Sequence, residues 1–246
     1  MCAQRAPTWF WDPKTSCLEF LEHTPLRLDS MNMNFDDDEL TCSFDCCEHG
    51  SGPVEVTVVG LAYTCEQGPA QKEGASSLLM GGQLWQSGKV LAAALAEGRL
   101  PSATRETLVG KRAIELGSGM AGLPGVALAL LGAEVTLTDT ASVLPLLTAN
   151  AHAASEAAAA AGRPVRLKAE ELDWLDDAGL ERRIGEDKFD LVLCADVAGI
   201  NLHEALLRSV QAVIAPEGVA IFVEFDRFDT VHPYRGTSLI RNCNPP

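Results

Sequence analysis

The run Glu115-Leu116-Gly117-Ser118-Gly119-Met120-Ala121-Gly122 gathers the residue types in this chain best suited to holding a ligand for chemistry. It reads as the end of a strand, a glycine turn and the start of a helix. Asp139 closes the next apolar stretch, roughly 20 residues further on, the spacing of a nucleotide-binding βαβ unit. Small residues let the backbone turn tightly and approach a ligand. In an open α/β sheet, an acid at the end of the second strand receives a ribose. The expectation is a site for a nucleotide-type cofactor.

Gly117, Gly119 and Gly122 taken alone also fit a dinucleotide oxidoreductase. Glu115 argues against it, because a carboxylate at the end of the first strand repels a nearby pyrophosphate. That acid instead suits a ligand with an ammonium group and a sulfonium. S-adenosyl-L-methionine carries both.

The elements that must position these residues follow from periodicity. Val54 to Val59 is rich in β-branched residues and reads as a strand. Val90, Leu91, Ala94 and Leu95 repeat at helical spacing within Lys89 to Glu97, and Gly98 with Pro101 ends that helix. Strand and helix then alternate: Lys111 to Leu116, Leu123 to Leu131, Glu134 to Thr138, Ala141 to Ala161, Val165 to Lys168, Asp177 to Ile184, Phe189 to Cys194, Leu202 to Ile214 and Val219 to Phe225. Pro216-Glu217-Gly218 reads as a turn. Such alternation implies an α/β fold, a largely parallel sheet covered on both faces.

Six segments, in this order, resemble the seven-strand class I S-adenosylmethionine-dependent methyltransferases, and within them the small protein-lysine methyltransferase-like family. They are Leu84-Trp85-Gln86-Ser87-Gly88, Ala113 to Leu123, Val135 to Asp139, Leu146 to Asn150, Leu172-Asp173-Trp174 and Phe189 to Val197. The resemblance implies a Rossmann-like, doubly wound seven-strand sheet and S-adenosylmethionine as cofactor. Carried over residue by residue, it implies that Gly117, Ser118 and Gly119 run beneath the methionine moiety and that Glu115 helps hold that end. Asp139 then accepts the ribose hydroxyls, Trp174 packs near adenine, and Asp173 lies near its amino edge. Trp85 and Ala195 line the pocket, and Asp196 is the candidate to orient the attacking amine. By residue type alone, Trp85 is equally a core tryptophan and Asp173 equally a cap. Asp190 reads as a partner for loop backbone, and Cys194 as a packed thiol.

The chain departs from the family in two places. An aromatic normally stands three residues after the acid following the fourth strand; here Asp196 matches and Gly199 does not. After Phe225 the family has a helix and an antiparallel strand pair, whereas Asp226 to Pro246 is polar and reads as loop, as though the last strands were truncated. These departures motivate an alternative, a catalytically impaired cofactor-binding or interaction protein of the same fold.

Bulk properties bound the rest. The 246 residues carry a net charge of −15, which disfavours a nucleic-acid partner. A protein substrate is expected, of the chaperone, ATPase or translation-factor kind that the resemblance implies. Residues 1–52 read as a partly mobile lead-in with the acidic run Asp36-Asp37-Asp38-Glu39, and 53–246 as the methyltransferase domain. No secretory leader or membrane span is legible, so the expected location is the cytoplasm and also the nucleus. Among the eight cysteines, Cys42, Cys46 and Cys47 cluster with His49. No second pair at finger-like spacing follows, and adjacent thiols suit one tetrahedral ion poorly, so no metal is expected.

Overall fold

A computed structural model describes the backbone of residues 18–24, 39–44, 54–59, 80–82, 84–96, 98, 100, 103–184, 188–197, 202–225 and 234–242, with side chains only between 80 and 223. The strands are β1 (Leu18–Thr24), β2 (Glu39–Phe44), β3 (Val54–Val59), β4 (Arg112–Leu116), β5 (Glu134–Asp139), β6 (Arg166–Glu171), β7 (Phe189–Ala195), β8 (Ile214–Phe225) and β9 (Tyr234–Asn242). The helices are α1 (Gln86–Ala96), α2 (Arg105–Leu108), α3 (Leu123–Leu130), α4 (Leu144–Ala160), α5 (Asp177–Ile184) and α6 (His203–Val213).

Seven strands form one sheet in the order β1-β9-β8-β7-β4-β5-β6. The five from β8 to β6 are mutually parallel. β7 is nearly continuously apolar, as a strand covered on both faces should be, whereas β6 at the edge is polar and partly exposed. Ala113, Leu191, Leu193, Ile221 and Val223 face a core built from α1, α3 and α4. Ile114, Val192, Cys194, Ala220 and Phe222 face the other way, onto α5 and α6. This is the doubly wound arrangement read from the sequence. Successive strands run β4, β5, β6 toward one edge, and the chain then crosses to β7 on the other side of β4. The switch point therefore lies at the carboxyl ends of β4 and β7, where open α/β sheets bind ligands.

Most elements fall within a few residues of the periodicity. All eight residues of α3 are buried, with Pro124 in the first turn. The apolar run around it is thus a core helix; no helix among the described residues is long and apolar enough to cross a membrane. The turn read at Pro216-Glu217-Gly218 appears as a break in the ladder: Phe189 pairs with Ile214, but Leu191 pairs with Val219.

Two stretches differ from the sequence reading. The segment after Phe225 is not all loop. It contributes β9, which pairs antiparallel with β8, and β1 pairs antiparallel with β9. Among the described residues, one strand stands where the family resemblance implied a helix and two strands, and it pairs along the edge of β8. An unpaired edge beside a buried strand would leave a row of backbone groups unsatisfied. Leu239 and Ile240 are the only adjacent apolar pair in β9, too little for an alternation to be read. In residues 1–52, β1 and β2 form, and β2 pairs with β3 across residue 52.

Candidate functional site

Register brings the site together. Leu116 at the end of β4 pairs with Thr138 on one side and Cys194 on the other. One residue further on, Gly117 is level with Asp139 and Ala195. The turn after β4 is then sewn down by its neighbours. Ser118 donates its backbone N–H to the Thr138 carbonyl at 2.9 Å. Its hydroxyl donates to the Glu115 carbonyl at 3.2 Å and accepts the Thr138 N–H at 3.1 Å. The Thr138 hydroxyl donates to that same Glu115 carbonyl at 2.7 Å. The Ser118 side chain is therefore engaged in joining the turn to β5.

Asp139 spans the mouth of this turn. Its Oδ2 accepts the Gly119 N–H at 2.8 Å, and its Oδ1 accepts the Thr140 N–H at 2.8 Å. Burial pushes its carboxyl above the ordinary range; the Thr140 and Gly119 hydrogen bonds oppose that, and the nearby Asp173 charge adds to it. Asp173 Oδ1 accepts the Leu175 N–H at 2.9 Å, holding the short loop after β6 in an Asx turn. That loop brings Trp174 over the glycine turn. Gly117 has a φ of +67°, and a Cβ there would lie 2.7 Å from Val197 Cγ1 and 3.0 Å from Trp174 Cζ2. Only glycine fits both the conformation and the gap. Gly117→Ala is accordingly expected to destabilise the fold by about 2 kcal/mol. A thermal melt beside wild type checks this.

Glu115 lies beneath the turn. It is 2% exposed, and its Oε2 accepts the Gly125 N–H of the first turn of α3 at 2.8 Å. A Cβ on Gly125 would come within 2.8 Å of that same oxygen and collide with the Leu137 side chain. Burial pushes the Glu115 carboxyl up to about 8, with the Gly125 hydrogen bond opposing and the Asp139 charge assisting. The side chain read as holding the methionine end is thus bonded to the start of α3.

Two further elements close the surroundings. Trp85 donates its indole N–H to the Met80 carbonyl at 2.8 Å, and the Met120 N–H donates to the Gly81 carbonyl at 2.7 Å. The segment before α1 is thereby fixed against the glycine turn. At the end of β7, Ala195 is partly buried, and the Asp196 N–H donates to the Val223 carbonyl at 2.8 Å. Asp196 is the only non-glycine residue among those described with a positive φ, +57°. That conformation costs about 1–2 kcal/mol, though aspartate tolerates it better than most. Val197, next along, is the residue that touches Gly117. Gly199, the departure from the family pattern, lies outside the described residues.

Some residues of the site were not assigned roles from the sequence. Asn150 donates from Nδ2 to the Met120 carbonyl at 2.8 Å and anchors the turn to α4. Its signal was present: it is the polar member of the buried stripe Leu147, Asn150, Ala151 and Ala154. Asp190 behaves as read. Its Oδ2 accepts the Arg112 N–H and its Oδ1 pairs with Lys111 Nζ, each at 2.9 Å. Burial would raise its carboxyl, but those partners together hold it below the usual range. Cys194 is a fully buried thiol of the core that takes part in no disulfide. The Cys46, Cys47 and His49 cluster lies outside the described residues, among which no group of metal-ligating side chains occurs.

A family model described as lysine methyltransferase matches residues 70–230, well over half of the chain. The chain belongs to the lysine methyltransferase family. Among its relatives, it is 34% identical over 139 residues to protein N-lysine methyltransferase METTL21A of Danio rerio, covering 56% of this chain and 57% of that protein. It is 33% identical over 110 residues to EEF1A lysine methyltransferase 3 of Mus musculus, covering 44% of this chain and 43% of that one. The chain thus spans about half the length of the curated relatives it matches. Among solved structures, an O-methyltransferase family protein from Burkholderia thailandensis matches with a TM-score of 0.44 and 13% identity, over 68% of this chain and 58% of that one.

The cofactor of this family is S-adenosylmethionine. The residues present fit such a group. Gly117 holds the turn in a left-handed backbone with Trp174 and Val197 packed against it. The Asp139 carboxylate offers about four lone-pair sites; the Gly119 and Thr140 backbone N–H groups take two, and the Thr140 hydroxyl, 3.3 Å from Oδ1, has Ser142 Oγ at 3.1 Å as a second partner to turn to when a ligand hydroxyl takes that site. The neighbouring carboxyls of Asp139 and Asp173 suit a ligand that carries positive charge.

Proposed function

We propose that this chain is an S-adenosylmethionine-dependent protein N-methyltransferase acting on a lysine side chain. The observation that carries the reading is the meeting of the glycine turn with Asp139 at the sheet's switch point, in a chain of the lysine methyltransferase family. When bound, the cofactor supplies an electrophilic methyl group on a sulfonium.

The work of this chain's residues is binding, orientation and handling of one proton. We assign the ribose hydroxyls to the remaining lone pairs of Asp139 and the adenine to the neighbourhood of Trp174. The Asp173 oxygen not bonded to Leu175 takes the adenine's amino edge. Trp85 and Ala195 line the pocket, and Glu115 supports its floor by holding α3. The attacking lysine must be a neutral amine aligned with the methyl carbon, an effect of proximity and desolvation. We assign Asp196 to orient the incoming ammonium and receive its proton. Its left-handed backbone at the end of β7, beside the residue that touches Gly117, supports that assignment.

A protein substrate is favoured by the net charge of −15, which opposes nucleic acid. The name of the relatives called EEF1A lysine methyltransferase 3 makes a translation factor one candidate, beside a chaperone or ATPase. Such substrates go with a cytoplasmic location, with the nucleus second, which subcellular fractionation tests.

The reading is tested by incubating the chain with methyl-labelled S-adenosylmethionine and a cell extract, then locating the label by mass spectrometry. Label on lysine of a discrete protein is expected. Label on arginine or histidine would keep the donor and replace the acceptor. Tight cofactor binding without transfer would favour the catalytically impaired alternative.

A further inference from the structure

The chain leaves β7 abruptly. Ala195 still pairs with Val223, and the Asp196 N–H donates to the Val223 carbonyl at 2.8 Å. Asp196 then takes a φ of +57°, a left-handed conformation that is costly for any residue with a side chain. Such strain persists only where the surroundings over-determine it. The bond to Val223 holds the residue from its amino side. Val197 holds it from the other. Its Cγ1 stands 2.7 Å from the point where a Cβ on Gly117 would be, and Trp174 Cζ2 stands 3.0 Å from the same point. Both side chains also pack against the apolar cluster beneath α5 and α6. The place left by the missing Gly117 side chain is thus the socket in which the segment after β7 is seated. A β-branched side chain is stiff at χ1, so its fit in that socket is passed on to its own backbone.

We propose that Val197 is a positioning residue for the methyl transfer: its fit against Gly117 holds Asp196 in the conformation from which it meets the incoming amine. This rests on the assignment of Asp196 to that amine, and it names the contact that fixes the residue. Val197 does its work through Asp196 and not through the cofactor. Without the two methyl groups, Asp196 relaxes toward the commoner right-handed or extended backbone, and its left-handed population falls about tenfold.

The test compares the full chain as wild type, Val197→Ala and Val197→Thr. Methyl-labelled S-adenosylmethionine is titrated against a fixed amount of cell extract, and label entering protein above the extract alone gives an apparent maximal rate and an apparent KM for the donor. Val197→Ala is expected to lower the maximal rate about tenfold while leaving the donor KM, and the calorimetric Kd for S-adenosylhomocysteine, unchanged. Val197→Thr keeps both branches at Cβ and is expected to recover most of the rate. Val197 is only partly buried, so the alanine variant should stay folded, which a thermal melt checks. An unchanged rate in Val197→Ala overturns the proposal and leaves the function standing. So does a threonine variant as slow as the alanine one. A loss of S-adenosylhomocysteine affinity that matches the loss of rate also overturns it, because Val197 then acts on the cofactor. Wild type that binds S-adenosylhomocysteine but labels no protein overturns the acceptor reading itself, and the proposal with it.

Discussion

Replacing Asp139 with alanine is expected to weaken binding of S-adenosylmethionine by about a hundredfold while the fold survives. A hydrogen bond to a charged group contributes roughly 1.5–3 kcal/mol, and each 1.4 kcal/mol is tenfold in affinity. Two ribose hydroxyls lost from one carboxylate therefore amount to about two orders of magnitude. The cost to the fold is smaller. Alanine leaves the Gly119 and Thr140 N–H groups without their present acceptor. It also removes a carboxylate whose burial already pushes its pKa upward, and that relief offsets part of the loss. Calorimetry for affinity and a thermal melt for the fold separate the two effects. Affinity equal to wild type would remove Asp139 from the site.

The second large effect concerns Glu115 and pH. Its folded-state pKa of about 8 stands well above the ordinary value of 4.5. Between those values the folded chain holds a proton that the unfolded chain releases. The stability this supplies is fully present below about pH 4.5 and is lost as pH rises through 8. The fall should amount to a few kcal/mol, since a tenfold difference in proton affinity corresponds to about 1.4 kcal/mol. Asp139 is displaced in the same direction and adds to the slope. Asp190 is displaced downward, so its contribution is lost only at lower pH, as the pH falls through its folded value, outside this window. Glu115→Gln keeps a neutral acceptor for the Gly125 N–H and no longer titrates. Melting temperatures measured from pH 4.5 to 8.5 should fall steeply in wild type and much less in the variant. Parallel profiles would show that Glu115 does not carry the proton.

The doubly wound core was legible because its signals are local. Two-faced burial leaves apolar runs in β4 and β7, interrupted by Glu115 and Asp190, and the amphipathic stripe of α6 has a clear period. The glycine turn was legible because three left-handed or crowded backbone positions require glycine, and Asp139 stands one strand away. Other features depend on tertiary contacts that no spacing records. Glu115 has the residue type of a ligand-binding acid, yet its carboxyl meets the N-terminal turn of α3, a partner ten residues on and visible only once α3 packs on β5. The Ser118 hydroxyl is engaged by Thr138 and Glu115, a pairing that depends on the register of β4 with β5. β9 was hidden because its pairing to β8 is made by backbone, for which a mixed sequence such as Tyr234 to Asn242 suffices.

The site's central property is that the glycine turn and Asp139 hold S-adenosylmethionine. Calorimetric titration of the full chain with S-adenosylmethionine, S-adenosylhomocysteine and NAD decides that point. Micromolar, one-to-one binding of the first two is expected, with none of the third. A folded chain that binds NAD, or that binds neither sulfur ligand, would overturn it.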